Sequence, residues 1–365
     1  MNFPSLAPCP KPLLVQALAA TATAVLLAGC GGGGSGGTPP APAPAPAAQA
    51  PAPAPAPAAN KVPVGNAGSA LVARVGTAAQ LDGSASKDDD GDALAYTWTL
   101  STKPAGSNAV LANANSAKPS LTPDVAGTYV ATLVVNDGKA NGEAATVKVL
   151  AEAPAFDSVP AAFPPNMPSY GFEANSIASL GDTVTLAAGL PRVLRGVTVA
   201  MSSWACESGD WTGTCTSAPN ATFQHPVTIR LRDAGGTLLA TKTQTFTMPY
   251  RPSADASCAN PKQWKASNGN CYNGFAFRLN FDLSDLDVTL PDTVIYEVAY
   301  NTQHYGAAPM GVTGPYDSLN VGAYDTHAVS PTVGSDATPG SNLVNGAAES
   351  DTYSPMVQII VTGAP

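Results

Sequence analysis

Polar and apolar residues alternate along several short stretches of the chain, which is the pattern of β-strands with one buried face. The clearest examples are residues 94–100 and 129–135 in the first half, and residues 227–232 and 275–281 in the second. Within residues 61–152 no window keeps the period of an amphipathic helix. The pattern predicts an all-β protein.

Turn residues and local composition divide the chain into four parts. Residues 1–29 are expected to be a signal peptide, residues 30–60 a disordered tether, residues 61–152 one β-sandwich and residues 153–365 a second, larger one. In the second sandwich we expect strands at residues 183–187, 193–201, 227–233, 238–248, 275–282, 293–301 and 356–362. Two packed sheets with long loops follow from this spacing, so we expect a jelly-roll-like β-sandwich.

The tether contains two kinds of linker. Residues 31–37 are nearly all glycine and are expected to be flexible, whereas residues 39–59 alternate alanine with proline. Alternating Ala-Pro favours polyproline II, so this stretch would act as a semi-rigid stalk roughly 65 Å long at ~3.1 Å per residue. Neither stretch carries an apolar side chain larger than alanine, so neither can form a core.

An apolar run at residues 12–27 precedes the tether and contains no charge. It is shorter than the ~20 residues that a membrane-spanning helix needs. The run ends in Leu27-Ala-Gly-Cys30, which resembles the lipobox of bacterial lipoproteins. The resemblance implies cleavage before Cys30 and a lipid anchor on its sulfur. The mature protein is then expected in the cell envelope, facing outward or into the periplasm, and on the outer membrane of a diderm host. The alternative is a plain secretory signal cut at a small residue.

Charge and cysteine content narrow the class of partner. Only 12% of residues are charged, and 17 Lys and Arg against 26 Asp and Glu give a net charge of −9. The basic residues are scattered singly, so we expect no nucleic-acid partner. Beyond Cys30 the chain has four cysteines, an even number that indicates two disulfides in an exported protein. Cys206–Cys215 with Cys258–Cys271 is the simplest of three connectivities, and the other two remain open.

A series of short motifs covers the whole of the first sandwich. They lie at residues 66–68, 81–86, 90–92, 96–98, 103–107, 123–129 and 135–138. Together they resemble a PKD domain, which implies an immunoglobulin-like β-sandwich that serves as a spacer or adhesion module in surface proteins and secreted enzymes. The residue pattern agrees, because residues 124–129 have the form of a tyrosine corner and Trp98 stands where such a sandwich buries its central tryptophan.

Four aspartates fall within residues 88–92, and their carboxylates repel one another. A hard divalent cation such as Ca²⁺ would relieve that repulsion. Some PKD domains bind calcium with this loop, helped by an asparagine near the start of the domain and an aspartate near its end. The resemblance therefore implies a calcium site made of Asn66, Asp88, Asp90, Asp92 and Asp137. The alternative is a solvated acidic turn.

The loops of the second sandwich hold most of its unusual residues. Exposed aromatic rings are platforms on which sugar rings stack, and nearby amides and carboxylates bind the hydroxyl groups. The candidates for such a ligand-binding site are Trp204, Trp211, Trp264, Asn301, Tyr305, Tyr316 and Asp317. The alternative is that these side chains pack beneath long loops. Part of this region also resembles uncharacterised exported bacterial proteins, which implies no chemistry.

No motif of a known catalytic type is present: there is no Gly-x-Ser-x-Gly elbow, His-Glu-x-x-His helix or glycine-rich phosphate loop. We therefore expect a cell-surface lipoprotein whose stalk and PKD spacer present a β-sandwich for binding or adhesion, with a carbohydrate or a cell-surface protein as ligand. An extracellular polysaccharide-acting enzyme, drawing on carboxylates such as Glu173, Glu207 and Glu297, is one alternative. A purely structural envelope protein is the other. Three or more of the aromatic residues exposed on one face would favour the binding protein.

Overall fold

The computed structural model describes residues 58–172, 175, 177–209, 214–300, 319–325, 331–349 and 353–363, together with the backbone of residues 304–305 and 308–309. These residues form strands and turns without any helix, which confirms the all-β prediction. Accordingly, the described part of the chain offers no helix of the length and apolarity needed to cross a membrane. Cys30 and the linkers that follow it, up to residue 57, lie outside the described residues.

The strands of the first sandwich are β1 (Leu71–Arg74), β2 (Ala79–Gln80), β3 (Ala95–Thr102), β4 (Leu111–Ala112), β5 (Ser120–Leu121), β6 (Gly127–Asn136) and β7 (Ala145–Asp157). Strand β6 pairs with β3 and β7, β1 runs parallel to β7, and β2, β5 and β4 form the facing sheet. Alternate residues of β6 are buried, as its sequence pattern predicts. They pack with Leu81, Trp98 and Leu121 in one core.

The tyrosine corner predicted in the first sandwich is present. The Tyr129 ring is buried, and its hydroxyl donates to the carbonyl oxygen of Val125 at 2.9 Å and accepts from the Val125 N–H at 3.1 Å. Beside it, Asp124 accepts from the Ser107 hydroxyl at 2.5 Å and from the Asn108 N–H at 2.6 Å. The Ser107 hydrogen bond, followed by that from Asn108, lowers the pKa of Asp124 to about 2.

The remaining strands are β8 (Ser169–Gly171), β9 (Ser179–Thr185), β10 (Val193–Ser203), β11 (Thr222–Asp233), β12 (Leu238–Pro249), β13 (Trp264–Lys265), β14 (Cys271–Tyr272), β15 (Phe275–Asp282), β16 (Thr293–Ala299), β17 (His304–Tyr305), β18 (Ala308–Pro309), β19 (Leu319–Asp325), β20 (Ser335–Asp336), β21 (Asn342–Val344), β22 (Ala347–Glu349), β23 (Tyr353–Pro355) and β24 (Val357–Thr362). A seven-stranded sheet runs β12-β11-β16-β9-β21-β22, with β20 on β9. It shares one core with the sheet that contains β10, β15, β19 and β24. The second part of the chain is thus also a β-sandwich, as expected.

Strand β7 belongs to both sandwiches. Residues 145–151 pair with β6, and residues 153–157 pair with β24, so the expected boundary at residues 152–153 falls inside a single strand. A β-bulge marks the passage: Ile359 and Ile360 face Phe156 and Pro154, which leaves one extra residue on β7. Proline has no N–H to donate, and it is tolerated at such irregularities. One ten-stranded sheet therefore runs through both sandwiches.

Strand β19 lies in a segment whose sequence reads as a loop. It pairs with β10, β8 and β23, and most of its side chains are buried. Gly322 explains the missing strand signal, since an ideal Cβ there would lie 2.5 Å from the Met167 sulfur and 3.1 Å from the Ala200 Cβ. Glycine fits this closely packed position but has a low strand propensity, so the sequence pattern does not predict β19.

Candidate functional site

Four of the predicted ligand-binding residues have no described side chain. Asn301, Tyr316 and Asp317 lie outside the described residues, and Tyr305 is described by its backbone alone. Trp211 also lies outside the described residues. The structure therefore places two of the predicted ligand-binding side chains, Trp204 and Trp264.

Trp264 belongs to the interior. It is 6% exposed, and its indole N–H donates to the carbonyl oxygen of Gly274 at 2.7 Å. Its ring packs against Tyr272 and Phe275 at centroid distances of 5.6 Å and 5.5 Å. These contacts form a local core for the loop that the Cys258–Cys271 disulfide closes. The ring is not available as a surface platform.

Trp204 is partly exposed and follows directly after β10. Its indole nitrogen lies 2.6 Å from the position that a Cβ on Gly274 would take. With the Asn320 amide oxygen turned toward it, the Trp204 N–H donates to that oxygen at 3.2 Å, and the Ser169 hydroxyl donates to the same oxygen at 3.1 Å. The edge of the indole is thus fixed while part of the ring remains accessible.

Polar side chains from distant segments surround this tryptophan. The Ser202 hydroxyl donates to the Asn166 amide oxygen at 2.9 Å, and both atoms lie close to the point where a Gly274 side chain would begin. We call Asn166, Ser169, Ser202, Trp204 and Asn320 the Trp204 cluster. Only Trp204 is predictable from sequence, because the other members are common polar residues that meet through the pairing of β8, β10 and β19.

Two disulfides hold the backbone around the Trp204 cluster. Cys206 pairs with Cys215 and Cys258 pairs with Cys271, as the simplest of the three connectivities predicts. In the chain-entropy model, loops of this length contribute about 3 kcal/mol each. The first clip begins two residues after Trp204, so it limits the movement of the candidate site.

A buried arginine connects the regions of the two disulfide-closed loops, Cys206–Cys215 and Cys258–Cys271. Arg251 is 0% exposed; its backbone N–H donates to the carbonyl oxygen of Ala205 at 2.9 Å, and its Nη2 donates to that of Lys262 at 2.6 Å. Burial lowers the pKa of Arg251 to about 10, so the guanidinium stays charged at neutral pH. The residue after Trp204 is thereby joined to the second loop.

The candidate catalytic carboxylates are occupied in structural contacts. Glu297 lies on β16 and forms an ion pair with Arg230 on the neighbouring strand β11. Glu207 accepts a hydrogen bond from the Ala218 N–H at 2.7 Å and so braces the first clipped loop. Glu173 lies outside the described residues.

The acidic loop of the first sandwich brings together three of its five predicted calcium ligands. Carboxylate oxygens of Asp88, Asp90 and Asp92 all lie within 4.8 Å of one another. Asn66 and Asp137 are engaged elsewhere. The Asn66 amide oxygen accepts a hydrogen bond from the Gly68 N–H at 2.9 Å, and the Asp137 carboxylate is held by hydrogen bonds of its own loop.

Asp137 is 7% exposed and accepts from the Asn60 amide at 2.8 Å and from the N–H groups of Lys139 and Ala140 at 2.7 Å and 2.6 Å. The Ala140 hydrogen bond, then that of Asn60, lowers the pKa of Asp137 to about 2. The Lys139 ammonium contacts Asp92 at 2.6 Å, and this hydrogen bond raises the pKa of Lys139. A lysine therefore supplies a counter-ion within the acidic loop, which the sequence does not reveal.

Comparison with known proteins identifies the first sandwich. Residues 67–150 match the family model of a PKD domain, so this part of the chain is a PKD domain. No curated protein matches the chain. Its structure is similar to that of a nucleoside hydrolase-related hypothetical protein from Saccharophagus degradans, which is 28% identical, with 26% of each chain covered and a TM-score of 0.23.

Two other solved structures are similar to parts of the chain. The PKD domain from the KIAA 1837 protein is 30% identical, and the match covers 26% of this chain and 90% of that one with a TM-score of 0.22. A carbohydrate-binding module of the β-sandwich superfamily is 13% identical, and the match covers 73% of this chain and 98% of that one with a TM-score of 0.25.

Proposed function

We propose that the larger β-sandwich binds a neutral carbohydrate at the Trp204 cluster. The observation that carries the proposal is a partly exposed tryptophan, fixed at its indole edge and bordered by amide and hydroxyl side chains. The face of an indole ring stacks on the apolar face of a sugar ring, while amides and hydroxyls exchange hydrogen bonds with the sugar's hydroxyl groups. The members of the cluster are all uncharged, which suits a neutral ligand.

Rigidity around Trp204 supports the same function. A site that is already ordered before binding loses less conformational entropy when the ligand arrives. Trp204 directly follows the central strand β10 and precedes the Cys206–Cys215 disulfide by two residues. Its indole packs closely against Gly274, which has no side chain to obstruct it. The Trp204 cluster is therefore preorganised.

A role for the PKD domain and the tether in holding this site away from a membrane is part of the same proposal. We propose that Cys30 carries a lipid, that residues 31–59 form the stalk, and that the PKD domain is a spacer between the stalk and the binding sandwich. A lipid-anchored protein of this layout stays in the cell envelope, on the outer membrane of a diderm host, and reaches ligands beyond the membrane surface.

A glycan array tests the binding site. The Cys30→Ser chain, purified in soluble form, should bind a subset of neutral glycans, and Trp204→Ala should weaken that binding by at least tenfold, since stacking and ring burial are lost. Trp204→Phe should retain part of the affinity. Tyr353→Ala is the matched control, because Tyr353 is an exposed aromatic residue at the opposite end of β19 from Asn320.

Binding that is unchanged in Trp204→Ala, or the absence of any bound glycan, would contradict the proposal. Assay of hydrolysis products on the same glycans separates a binding protein from an enzyme. Turnover that disappears in a carboxylate variant such as Glu207→Gln would favour the polysaccharide-acting enzyme instead.

A further inference from the structure

A group of buried oxygen atoms comes from strands of both sheets of the larger sandwich, apart from the Trp204 cluster. Asp182 is on β9 and Asp336 is on β20, which pairs with β9 so that Asp336 faces Val184. Tyr324 on β19 and Ser354 on β23 come from the opposite sheet. We call Asp182, Asp336, Tyr324 and Ser354 the intersheet oxygen cluster.

Some of the hydrogen-bonding capacity of the two carboxylates is used. Asp182 Oδ1 accepts from the Thr183 N–H at 2.7 Å and from the Thr338 hydroxyl at 3.2 Å. Asp336 Oδ1 accepts from the Thr338 N–H at 2.8 Å. Each carboxylate thus has one oxygen fixed in position, with the other oxygen left for a different partner.

Four buried oxygens of the cluster lack a hydrogen bond of good geometry within the described part of the chain, although the Ser354 hydroxyl lies near enough to Asp182 and Tyr324 to interact with both. They are Asp182 Oδ2, Asp336 Oδ2, the Tyr324 hydroxyl and the Ser354 Oγ. The residues Asp182 and Ser354 are 0% exposed and Tyr324 is 2% exposed. A buried polar group without a partner is costly and rare in a native protein, so four in one place indicate a missing ligand.

The electrostatics of the cluster point to a positive ligand. Among the described residues neither carboxylate has an ion-pair partner within salt-bridge distance. The Asp182 and Asp336 carboxylates are close enough for the charge of one to act on the other. Two neighbouring carboxylates therefore lack the positive charge that would stabilise their ionised forms.

We propose that the intersheet oxygen cluster binds a hard divalent cation, and that calcium is the cation it fits best. The four available donors are all oxygens, which suit calcium, magnesium or manganese rather than zinc or copper. Two carboxylates balance a charge of two. Calcium accepts irregular coordination and releases its water readily, whereas magnesium demands octahedral geometry and keeps its water. A single water molecule would exchange hydrogen bonds here but would bring no positive charge to the two carboxylates.

Such a cation would join the two sheets. Asp182 and Asp336 belong to one sheet, and Tyr324 and Ser354 belong to the other, so coordination by all four would connect the layers directly. Because the folded protein binds the cation and the unfolded chain does not form the site, calcium should raise the melting temperature.

The test uses the full-length chain with Asp90→Asn and Asp92→Asn, so that the acidic loop of the PKD domain does not contribute. In this background, calcium compared with a chelator should raise the melting temperature by several degrees, and titration calorimetry should give one ion per chain. Magnesium should give a smaller shift. Asp182→Asn, which keeps the shape of the side chain and can still accept the Thr183 N–H, should abolish the shift.

A melting temperature that is equal in calcium and chelator, or a shift that survives Asp182→Asn, would overturn the proposal. Terbium luminescence provides a second readout if Asp182→Asn fails to fold. Excitation of tyrosine should sensitise a terbium signal in the background protein, calcium should displace it, and Tyr324→Phe should weaken ion binding by several fold. The absence of a saturable, calcium-displaceable signal contradicts the proposal. Glycan binding is measured separately, so failure here leaves the proposed carbohydrate site untouched.

Discussion

Single residues decide which of the predicted sites this protein can use. Trp204 and Trp264 look similar in the sequence, since one precedes a cysteine-closed loop by two residues and the other lies within such a loop. The structure separates them through one glycine: the Gly274 carbonyl accepts the Trp264 indole N–H, and its missing side chain admits Trp204. One tryptophan therefore supports a loop from within, while the other contributes to the surface.

Asp124 provides a pH-dependent contribution to stability at the tyrosine corner. Its pKa in the folded protein is about 2, below the usual value of 3.8, because it accepts hydrogen bonds from Ser107 and Asn108. The stabilisation is therefore complete above the unfolded pKa and is lost as the pH falls through the folded pKa. We expect the unfolding midpoint in urea to drop between about pH 4 and pH 2 by more in the wild type than in Asp124→Asn.

The comparison between the two proteins isolates this carboxylate, because asparagine keeps the size of the side chain without its titration. Parallel midpoint curves for the wild type and Asp124→Asn across the same pH range would show that Asp124 does not stabilise the fold through its charge.

At the scale of elements, strands with one solvent-exposed face could be predicted from alternating polar and apolar residues. Strands covered on both faces lack that alternation and were harder to predict. The alternation in β6, β11 and β15 follows directly from one buried face. Strand β10 is buried over nearly its whole length. Its outer face is covered where Ala200 packs in one cluster with Met167 and Met356. The sequence nevertheless predicted a strand at residues 193–201. The Trp204 cluster was not predictable, because its members meet only through pairings between distant strands.

Strand β7 is expected to couple the unfolding of the two sandwiches. Besides its pairing on both sides, the Thr362 hydroxyl donates to the carbonyl oxygen of Ala151 at 2.9 Å, and Arg195 forms an ion pair with Glu152 at 3.2 Å. We predict a single calorimetric transition for the full chain. Leu133→Ala in the PKD core removes a buried side chain, which costs about 2–5 kcal/mol, and should lower the temperature of the whole transition.

Leu231→Ala, which removes a buried leucine from the larger core, is the matched control and should lower the same transition. Two resolved transitions, with each variant shifting only one of them, would show that the sandwiches unfold independently despite sharing a strand.

For the acidic loop we propose that calcium replaces Lys139 as the counter-ion of Asp92. Three carboxylates lie close enough to share one ion, and Asp88 Oδ2 is buried with no hydrogen-bond partner among the described residues. In a chain carrying Asp182→Asn, millimolar calcium should raise the melting temperature. Lys139→Gln should enlarge that rise, because it removes the competing ammonium while leaving the carboxylates in place.

Magnesium should have the smaller effect on this loop. A melting temperature indifferent to calcium in both the Asp182→Asn chain and its Lys139→Gln derivative would reduce the loop to an acidic turn that lysine neutralises. Loss of the calcium effect on adding Asp90→Asn with Asp92→Asn would assign it to these carboxylates.

At the scale of the whole molecule, we propose that the order of the parts along the chain serves to present a binding site. A PKD domain at residues 67–150 precedes a larger sandwich with a preorganised polar and aromatic cluster, and a tether of glycine, alanine and proline precedes both. The order along the chain suits a protein that holds a binding site at a distance from its point of attachment.

Anchoring and binding should be separable by single substitutions. Cys30→Ser removes the proposed lipidation site without altering the Trp204 cluster, so that protein should appear in the medium or periplasm and still bind glycan. Trp204→Ala keeps the anchor, so that protein should fractionate with membranes. Cys30→Ser protein that remains in the membrane fraction would show that the lipid is not the anchor.

The most direct test of the whole account is the adhesion of cells that produce this protein to a surface coated with the glycan selected on the array. Cells with the wild-type protein should adhere, whereas cells with Trp204→Ala or Cys30→Ser should not, although both variants are produced in equal amounts. Soluble Cys30→Ser protein should compete with the wild-type cells for the coated glycan and reduce their adhesion. The soluble double variant Cys30→Ser, Trp204→Ala should leave adhesion unchanged. Adhesion that persists in the Trp204→Ala cells would contradict the account.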